Sequence, residues 1–190
     1  LGALPWTPAA RSLQARVSFL HARLGSPWPD LSDAALRRSL DAWLAPALAA
    51  RAATGRADLE RVDLVGLLRG MVPPAVVGSL DQLAPPAVTV PSGRRVTLDY
   101  GSGSPEDPPV LAVRVQDMFG STATPTVAGG RVPVVLHLLS PAGRPVQVTS
   151  DLAGFWAGSW ADVRKEMAGR YPRHPWPADP TAADPPPRRR

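Results

Sequence analysis

Ala87-Val-Thr-Val-Pro-Ser-Gly-Arg-Arg-Val-Thr-Leu-Asp-Tyr100 is the stretch that decides the fold. Upstream of it, apolar residues recur every three to four positions. Within it they alternate, with Val88 and Val90 on one side of Pro91-Ser-Gly93 and Val96, Leu98 and Tyr100 on the other. A period of two flanking a Pro/Gly turn predicts a β-hairpin, with Gly93 where positive φ is needed. The chain therefore changes from helix to strand near residue 87.

Working back from that point, residues 7–85 read as helical. Thr7 before Pro8 is an N-cap with proline at the first helical position. Leu13, Val17, Leu20 and Leu24 follow at helical spacing, and Gly25 can close the helix. Ser32 is placed to cap a second helix with Leu36, Leu40, Trp43 and Leu44 on its apolar face, which Pro46 should kink or end. A third helix carries Leu64, Leu67, Leu68 and Met71, with Pro73-Pro74 to stop it, and a fourth carries Val76, Val77, Leu80 and Leu83.

Working forward, residues 101–108 form a flexible loop, Val110 to Val115 a strand, and Met118-Phe119 a helical turn. Val132 to Leu139 and Val146 to Thr149 are strands joined by a Pro141–Pro145 turn. Ser150 or Asp151 can cap a last helix whose one face is Leu152, Phe155, Trp156, Trp160, Val163 and Met167. Trp156 and Trp160 at that spacing read as core. After Gly169 three prolines forbid helix, and an extended strap should dock through Tyr171 and Trp176.

The fold class expected is α+β. It comprises an N-terminal helical segment (1–86), a small, mostly antiparallel OB-like β-barrel (87–150), and a C-terminal helix with an aromatic/proline strap (151–177). An open sheet packed on helices is the alternative to the barrel. From Ala178 to Arg190 composition predicts a disordered tail.

Composition excludes several chemistries. The chain has no cysteine, so disulfides, thiolate metal sites and cysteine nucleophiles are ruled out. The phosphate-binding loop of an NTPase is absent, since Lys165 is the one lysine and Glu166 follows it. His21, His137 and His174 are not paired at metal-ligand spacing. A triad of Ser140, His137 and an aspartate can be drawn on paper, but no nucleophile elbow supports it. His137, alone in an apolar strand, reads as a half-buried strand histidine rather than a groove probe. No catalytic residue, metal or cofactor is expected in this chain. The absence of Met at position 1 reads as a chain that begins inside a longer protein, and a cytoplasmic location is expected.

The 21 basic residues against 16 acidic ones give a formal net charge of +5. All but Lys165 are arginine, which suits RNA phosphates and bases, although GC-rich coding also favours arginine. Two groups stand out. Arg164, Lys165, Arg170 and Arg173 mix with Tyr171 and His174 around the end of the last helix. Arg94 and Arg95 in the hairpin, Arg131 after Gly129-Gly130, and Arg144 in a turn form the second. Both are candidate nucleic-acid contacts, against the alternative of a solvated helix end that suits the helix dipole. Arg188, Arg189 and Arg190 form a run expected to be solvated.

Three longer stretches carry a resemblance. They are Leu83 to Tyr100, Pro109-Val-Leu-Ala-Val-Arg-Val-Gln-Asp-Met-Phe-Gly120, and Gly130-Arg-Val-Pro-Val-Val-Leu-His-Leu-Leu-Ser140 running on to Ser150. With Asp151-Leu-Ala-Gly-Phe-Trp156, Val163-Arg-Lys-Glu-Met167 and Gly169-Arg-Tyr-Pro-Arg-His-Pro-Trp176, they resemble the C-terminal region of HrpB-type bacterial DEAH-box ATP-dependent helicases over roughly residues 30–177. The resemblance implies a non-catalytic accessory region that guides single-stranded RNA for RecA-like motor domains of the same parent chain. ATP and Mg²⁺ would then belong to that motor. The alternative is a structural module that clamps the motor or a partner protein without touching RNA.

Overall fold

Helix-forming sequence before residue 86 and alternating sequence after it separate into two units in the computed structural model, which describes residues 1–50 and 55–186. One unit is Leu1–Pro85 with Tyr100–Asp107. The other is Pro86–Asp99 with the chain from Pro108 onward.

The helical unit starts with α1 (Pro8–Leu24), where the Thr7 hydroxyl accepts from the Ala10 N–H at 3.2 Å and Pro8 occupies the first turn. Its buried stripe holds Leu13, Val17 and Leu20 as the spacing predicts, and Phe19 as well. Thr7→Ala should cost about 1 kcal/mol, the usual value of a lost N-cap, read as a lower urea midpoint for the helical signal. The predicted second helix is three short ones, α2 (Asp33–Arg38), α3 (Leu40–Trp43) and α4 (Ala45–Ala49). The break at Ser39 has a local cause: its hydroxyl donates to the Ala35 carbonyl at 2.9 Å, competing with the helical ladder. The helical path is interrupted at Leu44, just ahead of Pro46, which sits in the first turn of α4.

Helix α5 (Arg56–Leu59) has too little apolar periodicity to be read from sequence. Helix α6 (Leu64–Gly70) ends before Pro73 as expected. The predicted fourth helix is split into α7 (Pro74–Val77) and α8 (Leu80–Leu83), with the Ser79 hydroxyl donating back to Val76 at 2.8 Å. Helix α1 packs on α6 and α8. Its buried Arg16 donates to the Ala84 carbonyl and pairs with Asp81, so the buried charge is compensated. Tyr100 belongs here: its ring meets Phe19 edge-on at 5.2 Å and its hydroxyl donates to Pro85 O at 3.0 Å. Burial raises the phenol above its ordinary pKa, so it stays a donor.

The second unit begins with the hairpin β1 (Ala87–Thr89) and β2 (Arg95–Thr97), paired Val88 to Val96. Gly93 takes φ +76° in its turn. Strand β3 (Val110–Arg114) runs into a 3₁₀ turn at Val115–Met118. A two-stranded pair follows, β4 (Thr126–Val127) with β5 (Val132–Pro133), and then β6 (Val135–Leu139) and β7 (Pro145–Thr149).

The predicted strand 132–139 breaks after Pro133 and changes partner. β5 pairs with β4, while β6 lies between β3 and β7. β3 and β6 are parallel, and β6 and β7 antiparallel. The strands are mostly antiparallel, as expected, but a closed OB-like barrel is not found among the described residues. The described strands form sheets of two, three and two, with no closed barrel among them. Alternation alone reports a strand's buried face, not the direction of its partner or whether the sheet closes.

The predicted last helix is α9 (Leu152–Ala157) and α10 (Trp160–Arg170), broken at Gly158–Ser159. Asp151 caps α9, accepting from Gly154 N–H at 2.9 Å. Both helices turn a tryptophan onto Phe119, just after the 3₁₀ turn. Trp160 is 1% exposed and stacks edge-on with Phe119 at 5.7 Å and Trp156 at 5.3 Å. The extension is thus part of the same unit as the strands. The strap docks as expected: the Trp160 indole N–H donates to Pro177 O at 3.1 Å and Trp176 to Tyr171 O at 2.9 Å.

Residues 178–186, expected to be disordered, follow a defined path. Pro180 is buried, and its carbonyl accepts from Gly120 N–H at 2.9 Å. Gly120 has φ +79°, and a Cβ there would stand 3.3 Å from Ala183 O, so the close approach and the backbone angle both favour glycine. Arg188, Arg189 and Arg190 lie outside the described residues. No described helix is long and apolar enough to cross a membrane.

Candidate nucleic-acid interface

The hairpin turn is docked on the 3₁₀ turn, and this docking builds the site. Ser92 N–H donates to Asp117 O at 3.2 Å, and the Arg94 guanidinium donates to the Asp117 carboxylate at 2.6 Å. Asp117 is 5% exposed, so its charge is held almost out of water by that arginine. Around this joint lies a cavity of ≈ 850 Å³. Arg94 and Arg95 come to it from the hairpin, Arg114 from the end of β3, and Arg173 and His174 from the strap. Gln116, Asp117 and Ser92 complete the polar wall, and Pro141, Pro175 and Pro186 supply rigid apolar edges.

Four guanidinium groups against one carboxylate leave a surplus of positive charge. Arg95, Arg114 and Arg173 are exposed and make no ion pair among the described residues. Arginine carries its charge at any working pH and offers forked donors to phosphate.

The structure sorts the ten sequence candidates. Arg94, Arg95, Arg173 and His174 converge on the cavity. Tyr171 is half-buried, its hydroxyl 3.4 Å from Ser140 Oγ and its ring edge-on to His174 at 6.3 Å, so it supports the strap more than it offers a stacking face. Arg164 donates to Trp176 O at 3.1 Å and thereby holds the strap. Arg170 pairs with Glu166 at 3.1 Å. Arg131, Arg144 and Lys165 are exposed and do not line the cavity. His137 is half-buried on β6 and also stands apart from it. No group of three or more His, Asp or Glu among the described residues is placed to hold a metal ion.

Sequence reasoning missed Arg114, Gln116 and Asp117. A signal for Arg114 existed: Leu111, Val113 and Val115 point inward, which leaves Arg114 on the outward face of β3 beside the hairpin arginines.

This α+β chain, with its arginine-lined cavity, belongs to the family of ATP-dependent helicase C-terminal domains, whose model matches residues 43–180. In sequence it is 42% identical over 188 residues to the ATP-dependent RNA helicase HrpB of Escherichia coli K12, covering 97% of this chain and 22% of that protein. Among solved structures it is similar to the crystal structure of the E. coli DExH-box NTPase HrpB. The TM-score is 0.88 at 40% identity, over 100% of this chain and 23% of that one. A second crystal structure, of the E. coli DEAH/RHA helicase HrpB, matches with a TM-score of 0.71 at 39% identity, over 93% of this chain and 22% of that one. The chain thus spans about a fifth of the length of these relatives.

Proposed function

We propose that this chain is the non-catalytic C-terminal accessory region of an ATP-dependent RNA helicase, and that it grips single-stranded RNA for the motor domains of the same protein. The observation that carries this reading is the convergence of Arg94, Arg95, Arg114 and Arg173, from three separate segments, on one cavity. Such an arrangement holds a phosphate backbone without reading sequence. The similar E. coli protein is an ATP-dependent RNA helicase, which supports the choice of polyanion. ATP and Mg²⁺ would act in the motor, because the phosphate-binding loop is missing from this sequence.

The alternative, a clamp acting through the aromatic extension, has less support. Trp156, Trp160 and Trp176 all direct their indole N–H groups to carbonyls of their own unit.

Fluorescence anisotropy of the purified chain with a labelled single-stranded RNA tests the reading. Three unpaired arginines each neutralising one phosphate predict log K falling against log salt with a slope of about −2. Binding should be measurable at about 50 mM salt and much weaker at about 200 mM. No binding at tens of micromolar chain in the lower salt would overturn the reading.

A further inference from the structure

Among the described residues three buried side-chain atoms have no hydrogen-bond partner: Ser18 Oγ, Ser92 Oγ and Gln116 Nε2. Two of the three belong to residues lining the arginine cavity. Gln116 is 3% exposed, so its amide is withdrawn from bulk water without protein compensation. Buried donors left unmade are costly, and native structures keep them where a ligand or an ordered water completes them. Their coincidence in one wall, under four arginines, ties the defect to whatever occupies the cavity.

The chemistry of that occupant follows from the residues that line the cavity. The unpartnered Gln amide nitrogen and the guanidinium forks are donors only, a serine hydroxyl can turn to donate, and the one lining carboxylate, Asp117, is already engaged by Arg94. The complementary head is rich in acceptors, carries negative charge and has no donor of its own to satisfy. A phosphate group meets all three conditions. The Gln116 amide can turn toward it at little cost, because its terminal torsion is broad. A cavity of ≈ 850 Å³ leaves room for the sugar and base attached to that phosphate.

We infer that the cavity is a discrete phosphate-binding pocket in which Gln116 Nε2 and Ser92 Oγ bind one phosphate from the wall while Arg95, Arg114 and Arg173 neutralise it. The inference rests on the nucleic-acid reading above but is narrower: it assigns one seated phosphate and names neutral residues as part of its grip.

Gln116→Met separates the two, since it keeps size and removes the amide without changing charge. Wild type and variant are titrated with one single-stranded oligonucleotide bearing either a 5′-phosphate or a 5′-hydroxyl. The variant should bind about tenfold more weakly, with the same salt slope, and its thermal midpoint should be unchanged or higher because an unpartnered buried donor is gone. A loss confined to the 5′-phosphorylated strand identifies the seated group as a chain end. An equal loss on both strands identifies an internal phosphodiester. Equal affinities for wild type and variant overturn the pocket, leaving an ordered water as the amide's partner, while the general grip stands because wild type still binds.

Inorganic phosphate titrated against wild type, followed through the Gln116 side-chain amide resonances by NMR, gives a test that does not depend on RNA. Those signals should move with phosphate and not with chloride at equal ionic strength. No movement overturns the pocket even if the variant fails to fold.

Discussion

Changing Arg95, Arg114 and Arg173 together to glutamate should weaken single-stranded RNA binding by on the order of 100-fold at low salt. All three side chains are exposed, none is in an ion pair among the described residues, and all line one cavity. Reversal therefore removes three attractions and adds three repulsions without opening a core or breaking a structural pair. The thermal midpoint should move little, because exposed charges contribute little to stability. Arg131→Glu, Arg144→Glu and Lys165→Glu together are the matched control, with the same change of charge. Those residues are exposed and lie outside the cavity, so this triple should lower affinity only a few-fold, through the long-range field. Anisotropy titrations of the three proteins side by side check the prediction. Equal losses for both sets would mean that charge, not placement, governs binding.

The second large effect concerns stability. Trp160→Ala should destabilise the strand-containing unit by about 3–5 kcal/mol, the range for deleting a buried aromatic. Trp160 is 1% exposed and is ringed by Phe119, Phe155, Trp156 and Trp176. Its indole N–H also holds Pro177 O, so the strap loses an anchor together with the core. The strap carries Arg173 and His174 to the cavity, and loss of fold and loss of grip should therefore appear together. Arg164→Ala removes only the surface hold on Trp176 O and should be far milder in both respects. Urea unfolding followed by tryptophan fluorescence and by far-UV circular dichroism measures the difference. A midpoint for Trp160→Ala within error of wild type would show that the aromatic cluster does not organise this unit.

Local chemistry was legible in the sequence. Thr7, Ser32 and Asp151 cap the helices they were expected to cap, because an N-cap needs only its own side chain and the next turn. The hairpin around Gly93 and the burial of Trp156 and Trp160 were legible for the same reason: period and turn chemistry are local. Helix lengths were overread wherever a serine turned its hydroxyl back on the preceding turn, as at Ser39 and Ser79, since apolar spacing continues across such breaks. Sheet closure was not legible, because strand partners such as β3 and β6 are chosen by tertiary packing and nothing in either strand encodes that choice.

The site was half legible. Basic residues in a hairpin turn pointed to Arg94 and Arg95, and basic residues mixed with aromatics pointed to Arg173 and His174; all four line the cavity. Arg164 and Arg170 carry the same signal and are instead engaged by Trp176 O and Glu166. Arg114, Gln116 and Asp117 join the site only because the hairpin turn folds back onto the 3₁₀ turn, a tertiary contact between residues about 25 apart that no motif records.

RNA bound by this chain should lie in the cavity between the hairpin, the end of β3 and the strap. Photocrosslinking of the chain to a single-stranded RNA carrying 4-thiouridine, with the crosslinked peptides mapped by mass spectrometry, tests it directly. Crosslinks are expected in peptides spanning residues 91–96, 112–118 and 171–176, all suppressed by unlabelled competitor. Specific crosslinks confined to residues 8–83 of the helical unit, with none in those three segments, would contradict it.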